Sequence, residues 1–272
     1  MKQISKMHGI GNDILIIDQP TTTLNNNMIK MLGHRKQGIG FDQCIVIHSI
    51  SDMTVHIDIF NANGQQVYQC GNGLRCLMRY LATHYDKNAI DIVTGRYKYR
   101  GKMIDQTPHI YMGVPSFLAS DIPTHLDTNG LVTLHLPEKI SMGIVFIGNP
   151  HAICLSEDQN RKQTAEKIQA SPFFPEGINV SFISKNDDHI LLETYERGVG
   201  KTDACGSAAC AAALVQHHFL SGPSTVQVNF EYGSLVVDIT PEGVWQSGPA
   251  TTVFTSKDCI QIAEYCGTNK SI

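Results

Sequence analysis

No apolar run in this sequence approaches the ~20 residues of a membrane-spanning helix, so none is expected. No basic run exceeds two residues and the formal net charge is −4. That argues against nucleic acid or an anionic membrane as the main partner. C-x2-C spacing is lacking, and the pairs Cys70/Cys76 and Cys205/Cys210 fall inside helix-like runs, so no metal site is expected. The opening residues Met1-Lys2-Gln3-Ile4 lack the apolar stretch of a signal peptide. With eight cysteines, that fits reduced thiols in a cytoplasmic protein better than a disulfide scaffold. A dinucleotide fingerprint is missing too: Gly9-Ile10-Gly11 has neither the third glycine nor the following helix.

What is present supports a large core. Apolar residues make up 42% and charged residues 17% of 272, enough for one large or two ordinary domains. Short strands are expected over Ile14–Ile17, Cys44–Ile47 and Val55–Phe60, the last alternating in burial. Asn63-Gly64 signals a hairpin. Leu74, Leu77, Met78 and Leu81 recur at i, i+3, i+4, i+7 and give a helix with one buried face. The stretch Val114–Asp127, with two prolines and little periodicity, reads as the crossing between domains. A helix over Arg161–Gln169 and strands at Ile144–Ile147, Val180–Ile183, Ile190–Tyr195, Val226–Phe230 and Leu235–Ile239 follow. Ala208 to Val215 is apolar all round and reads as a fully buried helix, with Cys205 at its start.

A lone cysteine beside small residues is usually a packing residue. Here the pattern occurs twice, at Cys70-Gly71-Asn72 and at Cys205-Gly206-Ser207. Overlaying the cysteines aligns Asn12 with Asn149, Gln43 with Asn179, and Phe60-Asn61 with Tyr195-Glu196, in order and with similar gaps. Gly95 and Gly113 align with Gly233 and Gly248 in the same way. The chain therefore reads as a duplicated αβ unit. Two helix starts, each with unpaired N–H groups and a positive dipole end, suit a carboxylate guest and stabilise thiolates. Two thiols about one carbon can move a proton off one face and onto the other, one acting as thiolate base and the other as thiol acid. An α-proton is weakly acidic, so preorganised N–H donors must stabilise the enolate-like carboxylate. Glu196 and Arg197 could hold an ammonium and a carboxylate, or could be an exposed turn pair. His151, one of twelve histidines, reads as structural unless it orients a partner.

Lys6-Met7-His8-Gly9-Ile10-Gly11-Asn12-Asp13, Gly40-Phe41-Asp42-Gln43, Phe60-Asn61-Ala62-Asn63-Gly64, Cys70-Gly71-Asn72-Gly73, Gly148-Asn149-Pro150-His151, Tyr195-Glu196-Arg197-Gly198 and Ala204-Cys205-Gly206-Ser207 resemble the motifs of diaminopimelate epimerases, from about Ser5 to Val253. The resemblance implies an isomerase of lysine and peptidoglycan-precursor synthesis. It would interconvert LL- and meso-2,6-diaminopimelate without pyridoxal phosphate or another cofactor. Cys70 and Cys205 would be the acid/base pair, and His151 and Glu196 would tune them. Asn12, Gln43, Asn61, Asn149, Asn179, Glu196 and Arg197, with Gly71, Asn72, Gly206 and Ser207, would contact substrate. The implied fold is α+β. It has two pseudo-symmetric domains, each a β-barrel-like sheet around a central helix, with the active site in the cleft between them. The first would span 1–115 plus about 250–272, the second 116–249, and the enzyme would be a homodimer. Three positions depart from the family pattern. Ala208 replaces a glycine, which is harmless if its φ is helical, as expected here. Lys201 replaces a frequent acidic residue. Phe254 replaces a tyrosine common at the dimer interface, and the tail Thr255–Ile272 extends past the matched region.

Overall fold

The computed structural model describes residues 3–136, 139–155, 158–186 and 189–257. Most of the tail singled out above, residues 258–272, therefore lies outside the described residues. The chain forms two compact units, Met1–Ile110 with the segment that begins at Gly248, and Tyr111–Ser247.

The first unit contains β1 (Gln3–Gly9), β2 (Asn12–Asp18), α1 (Asn26–Gly33), β3 (Gln43–Ile50), β4 (Thr54–Asn61), β5 (Gln66–Val67), α2 (Gly71–Tyr85), β6 (Ala89–Val93) and β7 (Lys98–Ile104). Strand β8 (Thr107–Gly113) carries the chain into the second unit. That unit contains β9 (Leu131–His135), β10 (Lys139–Phe146), β11 (Pro150–Cys154), α3 (Arg161–Gln169), β12 (Asn179–Asn186), β13 (His189–Glu196), β14 (Gly200–Thr202), α4 (Gly206–Phe219), β15 (Thr225–Phe230), β16 (Gly233–Thr240) and β17 (Gly243–Ser247). The closing strand β18 (Thr251–Ser256) returns to the first unit and pairs antiparallel with β1.

The duplication read from the sequence is a duplication of topology. In the first unit β1–β2 is antiparallel, β2–β3 parallel, β3–β4 antiparallel and β4–β6 parallel. In the second, β10–β11, β11–β12, β12–β13 and β13–β15 repeat those senses in the same order. Each parallel pair needs a crossover, and a helix supplies each one. Helices α1 and α3 follow the first strands of their parallel pairs, while α2 and α4 precede β6 and β15. The fold is α+β.

Local chemistry explains the turns. Asn63-Gly64 closes the β4–β5 hairpin, with Gly64 at φ 84° and its Cα packed too closely on the Asn26 carbonyl to carry a side chain. The β1–β2 connection is the two-residue turn Ile10-Gly11, with φ 55° and 79°. A β-branched residue at positive φ costs on the order of 1–3 kcal/mol. Ile10 is also fully packed, and that burial offsets the strain.

The two long helices are more buried than their patterns imply. Gly206 to Gln216 of α4 is buried on all sides, against β10, β11, β12, β13, β15, β16 and β17. Alanine at Ala208, Ala209 and Ala211–Ala213 lets seven strands close around one helix. Ala208 is helical and absent from the positive-φ residues, so the departure from glycine carries no strain. The periodicity of α2 suggests a single buried face, whereas Gly71 to Met78 is buried throughout. Arg75, with no solvent exposure, is the reason the pattern misleads: a charged residue reads as surface. Its guanidinium donates to Asn72 Oδ1 at 2.8 Å and to the Pro249 carbonyl at 3.5 Å. The expected crossing Val114–Asp127 is bound into the second unit. Ser116 and Phe146 exchange backbone hydrogen bonds, and Ala119–Asp121 forms a 3-10 turn. Pro150-His151, directly after the turn-forming pair Gly148-Asn149, opens the buried strand β11.

Candidate active site

The N-cap of α2 is Cys70, at φ −157° and ψ 95°, and its Sγ accepts from Gly73 N at 3.2 Å. The thiol thus takes the place usually held by a serine or aspartate oxygen, at the positive end of the helix. Three strand ends surround this cap. Gln43 opens β3, and Asn61 closes β4 directly opposite it. Gln43 Nε2 donates to Asn61 Oδ1 at 3.3 Å, and Cys70 Sγ lies 3.7 Å from Gln43 Oε1. Asn12 opens β2, two residues before Ile14, which pairs with Gln43. The turn carrying Asn12 packs on α2: a methyl group added at Gly9 would meet Asn72 at 3.3 Å. Asn12, Gln43, Asn61, Cys70, Gly71 and Asn72 thus converge on the first turn of one helix.

The second unit repeats the arrangement in register. Asn149 precedes β11 by one residue, and His151, two residues on, pairs with Asn179 as Ile14 pairs with Gln43. One step beyond the Val180–Tyr195 pair, Asn179 faces Glu196 as Gln43 faces Asn61. Cys205 is the N-cap of α4 at φ −127° and ψ 113°. Its Sγ is 3.4 Å from Ser207 Oγ and is hydrogen-bonded with the Glu196 carboxyl. Thr202 Oγ1 donates to Glu196 Oε1 at 2.7 Å. Gln246 packs closely on Gly206: a Cβ there would sit 2.5 Å from Gln246 Oε1, so a larger residue would have to displace that side chain.

The electrostatics differ between the units. Burial raises the Glu196 pKa above the ordinary carboxyl value, only partly opposed by the hydrogen bonds from Thr202 and Cys205. Asn61, its counterpart, carries no charge. Burial pushes His151 down to about 3, so its ring is neutral near pH 7. Its Nε2 is 2.7 Å from Asn149 Oδ1, which fixes the proton on Nε2, because the amide oxygen only accepts. Among the described residues, Nδ1 has no partner. Two of the non-capping thiols are chemically quiet: burial pushes Cys76 and Cys154 up to about 12.

Two expected substrate contacts have structural duties. Asn179 Nδ2 donates to the Pro150 carbonyl at 3.0 Å, and its Oδ1 accepts from Arg197 N at 2.9 Å. One hydrogen and one lone pair remain for a guest. Arg197 is exposed, and its guanidinium donates to the Glu176 carbonyl at 2.7 Å. Sequence reasoning passed over Thr202, which fixes Glu196, and Arg35, Lys6 and Asp13 around Asn12. Among the described residues no cluster of three His, Cys, Asp or Glu side chains could hold a metal ion, and no helix is long and apolar enough to cross a membrane.

The chain is similar to known proteins. The family model described as diaminopimelate epimerase matches residues 4–118 and 143–253. A relative from Chromobacterium violaceum, named diaminopimelate epimerase, is 36% identical, covering 93% of this chain and 97% of that protein. One of the same name from Nitrosomonas eutropha is 38% identical, covering 93% and 97%. Among solved structures, a hydroxyproline epimerase from Agrobacterium vitis, crystallised with trans-4-hydroxy-L-proline, superposes with a TM-score of 0.64 at 13% identity, over 96% of this chain and 94% of that one. At that identity the likeness speaks for the fold alone.

Proposed function

The chain belongs to the diaminopimelate epimerase family, and from that premise we propose that it interconverts LL- and meso-2,6-diaminopimelate by two-base proton transfer between Cys70 and Cys205. One observation carries the chemistry. Two units of identical strand order each place a cysteine at the N-cap of their buried helix, with carboxamide or carboxyl side chains at the same register positions around it. A packing cysteine has no reason to recur in that setting.

In this reading one thiolate takes the α-proton while the other thiol delivers its own to the opposite face. The N–H groups of Gly71-Asn72 and Gly206-Ser207 receive the carboxylate as charge develops on it. Glu196, held by Thr202, shares its hydrogen bond with Cys205 and so adjusts the basicity of that thiol. Neutral His151 fixes Asn149. Glu196 and Arg197 supply the charges for one zwitterionic end of the substrate, Arg197 facing its carboxylate and Glu196 its ammonium. The scheme uses no metal or cofactor. The enzyme works in the cytoplasm as a homodimer, in lysine and peptidoglycan-precursor synthesis.

The fold is shared with enzymes acting on other amino acids, such as the hydroxyproline epimerase above. Incubation with LL-diaminopimelate, histidine and hydroxyproline in parallel, followed by chiral chromatography, separates the readings. Formation of meso-diaminopimelate alone supports the assignment. Turnover of another amino acid with diaminopimelate unchanged overturns it.

A further inference from the structure

The face of the first unit that carries Asn12 is built with two carboxylates and two cations that the epimerase chemistry above does not use. Asp42 Oδ2 accepts from Asp13 N at 2.8 Å and from Asn12 Nδ2 at 3.3 Å. Its other oxygen, Oδ1, accepts from Arg35 Nη2 at 2.6 Å. Arg35 Nη1 donates to Asp13 Oδ2 at 2.7 Å, and Lys6 Nζ lies 3.2 Å from that same oxygen. Lys6 also donates to the Gly40 carbonyl. One guanidinium therefore joins Asp13, the residue after Asn12, to Asp42, the residue before the strand that begins at Gln43.

The turn holding Arg35 is fixed in its own right. Ile39 N and Gly40 N both donate to the Leu32 carbonyl, at 2.9 and 3.0 Å. Gly40 has φ 72°, and a Cβ there would lie 3.2 Å from Arg35 Cα. So the guanidinium is delivered to the two carboxylates by a tight backbone, not by a free loop.

The consequence is chemical. A carboxamide can present its oxygen or its nitrogen, and a neutral partner could accept either choice. A carboxylate only accepts, so Asp42 claims the Asn12 nitrogen and leaves the oxygen for a guest. That oxygen takes a hydrogen bond from an ammonium and offers nothing to a carboxylate. We propose that Asp42 and Arg35 are positioning residues that hold the Asn12 carboxamide oxygen outward, making it an acceptor for an ammonium group of the amino-acid substrate. The inference rests on the function proposed above and adds the polarity of this contact and the residues that set it.

Stability is a poor alternative account of the cluster. The Arg35 side chain is 59% exposed and that of Asp42 37%, and exposed ion pairs contribute little. Replacing one should leave the fold intact and change how substrate is held.

The test is steady-state kinetics with LL-diaminopimelate on the wild type and on Asp42→Asn, Arg35→Gln and Arg35→Lys, with melting curves in parallel. Asp42→Asn is expected to raise KM about tenfold while kcat changes less than about threefold, since a carboxamide at that position can donate or accept and no longer dictates the orientation of Asn12. Arg35→Gln should behave likewise. Arg35→Lys should not rescue KM, because one ammonium cannot bond both carboxylates as the guanidinium fork does. Unchanged KM in folded Asp42→Asn and Arg35→Gln would overturn the proposal. Full rescue by Arg35→Lys would also overturn it, by reducing Arg35 to a charge. A wild type that fails to epimerise diaminopimelate, with both thiols verified as reduced, would instead overturn the functional reading and the ammonium contact with it.

Discussion

At the scale of single residues, the proposed activity turns on two cysteines at helix N-cap positions. Serine in place of Cys70 keeps the cap, since a hydroxyl is a good N-cap acceptor, and at Cys205 the side chain makes no capping bond that could be lost. It loses the accessible proton, however. Cys70→Ser and Cys205→Ser should fold normally and lose on the order of 10³-fold or more in kcat, read by chiral chromatography. Glu196 gives a second prediction. Burial raises its folded pKa above the ordinary value of 4.5, so the folded state holds that proton more tightly than the unfolded chain. Stability from this group is therefore present below about pH 4.5 and is lost as pH rises through the folded value. Glu196→Gln should match the wild type in melting temperature at low pH and exceed it near pH 7, while turning over more slowly. The residues that sequence made legible here were the paired ones. Cys70, Cys205 and the aligned carboxamides could be found because each had a counterpart at the same offset. Arg75, Thr202 and Arg35 could not, since nothing in local sequence says that a charged or hydroxyl side chain will be buried or reach across strands.

At the scale of the element, burial follows from small residues. Helix α4 accepts strands on all sides because most of its buried residues are small (Gly, Ser, Ala, Cys), and Gly143 on β10 admits Val215 of α4. A Cβ at Gly143 would lie 2.5 Å from both Val215 methyls. Gly143→Ala should cost about 1–3 kcal/mol, checked by denaturant unfolding. His151 offers a contrast with Ile14, which holds the matching position in the first unit. Its pKa is lowered from 6.5 to about 3, so the unfolded chain binds the proton more tightly. Stability from this neutral, buried ring is present above about pH 6.5 and is lost as pH falls toward 3. His151→Gln should flatten the acid limb of the stability–pH profile across that window. The buried character of α4 was plain in its composition, whereas that of α2 was hidden by Arg75. Strand β11 was hidden too, because Gly148-Asn149-Pro150 is turn chemistry and only tertiary pairing with β12 makes its continuation a strand.

At the scale of the whole molecule, the internal repeat carries the fold. Spacings between isolated asparagines, glycines and cysteines were enough to reveal it, since strand order fixes where those residues must fall. The return of β18 to β1 was not visible in local pattern, as it depends on pairing between the two ends of the described chain, such as Lys6 with Phe254. If both thiols serve one α-carbon, a mild oxidant should join Cys70 to Cys205 and abolish activity, and dithiothreitol should restore it. Peptide mapping by mass spectrometry identifies the bond, and full activity with that disulfide present would contradict the shared role.

The most direct test of the two-base mechanism is turnover of LL-diaminopimelate in D2O, stopped early and analysed by mass spectrometry. Each thiol carries a single exchangeable hydrogen. The proton taken by one cysteine is therefore not the one delivered by the other. Two-base transfer predicts that meso product carries one deuterium at the inverted α-carbon while recovered LL substrate remains unlabelled. Early product that retains the original hydrogen, or substrate and product labelled at equal rates, would contradict it.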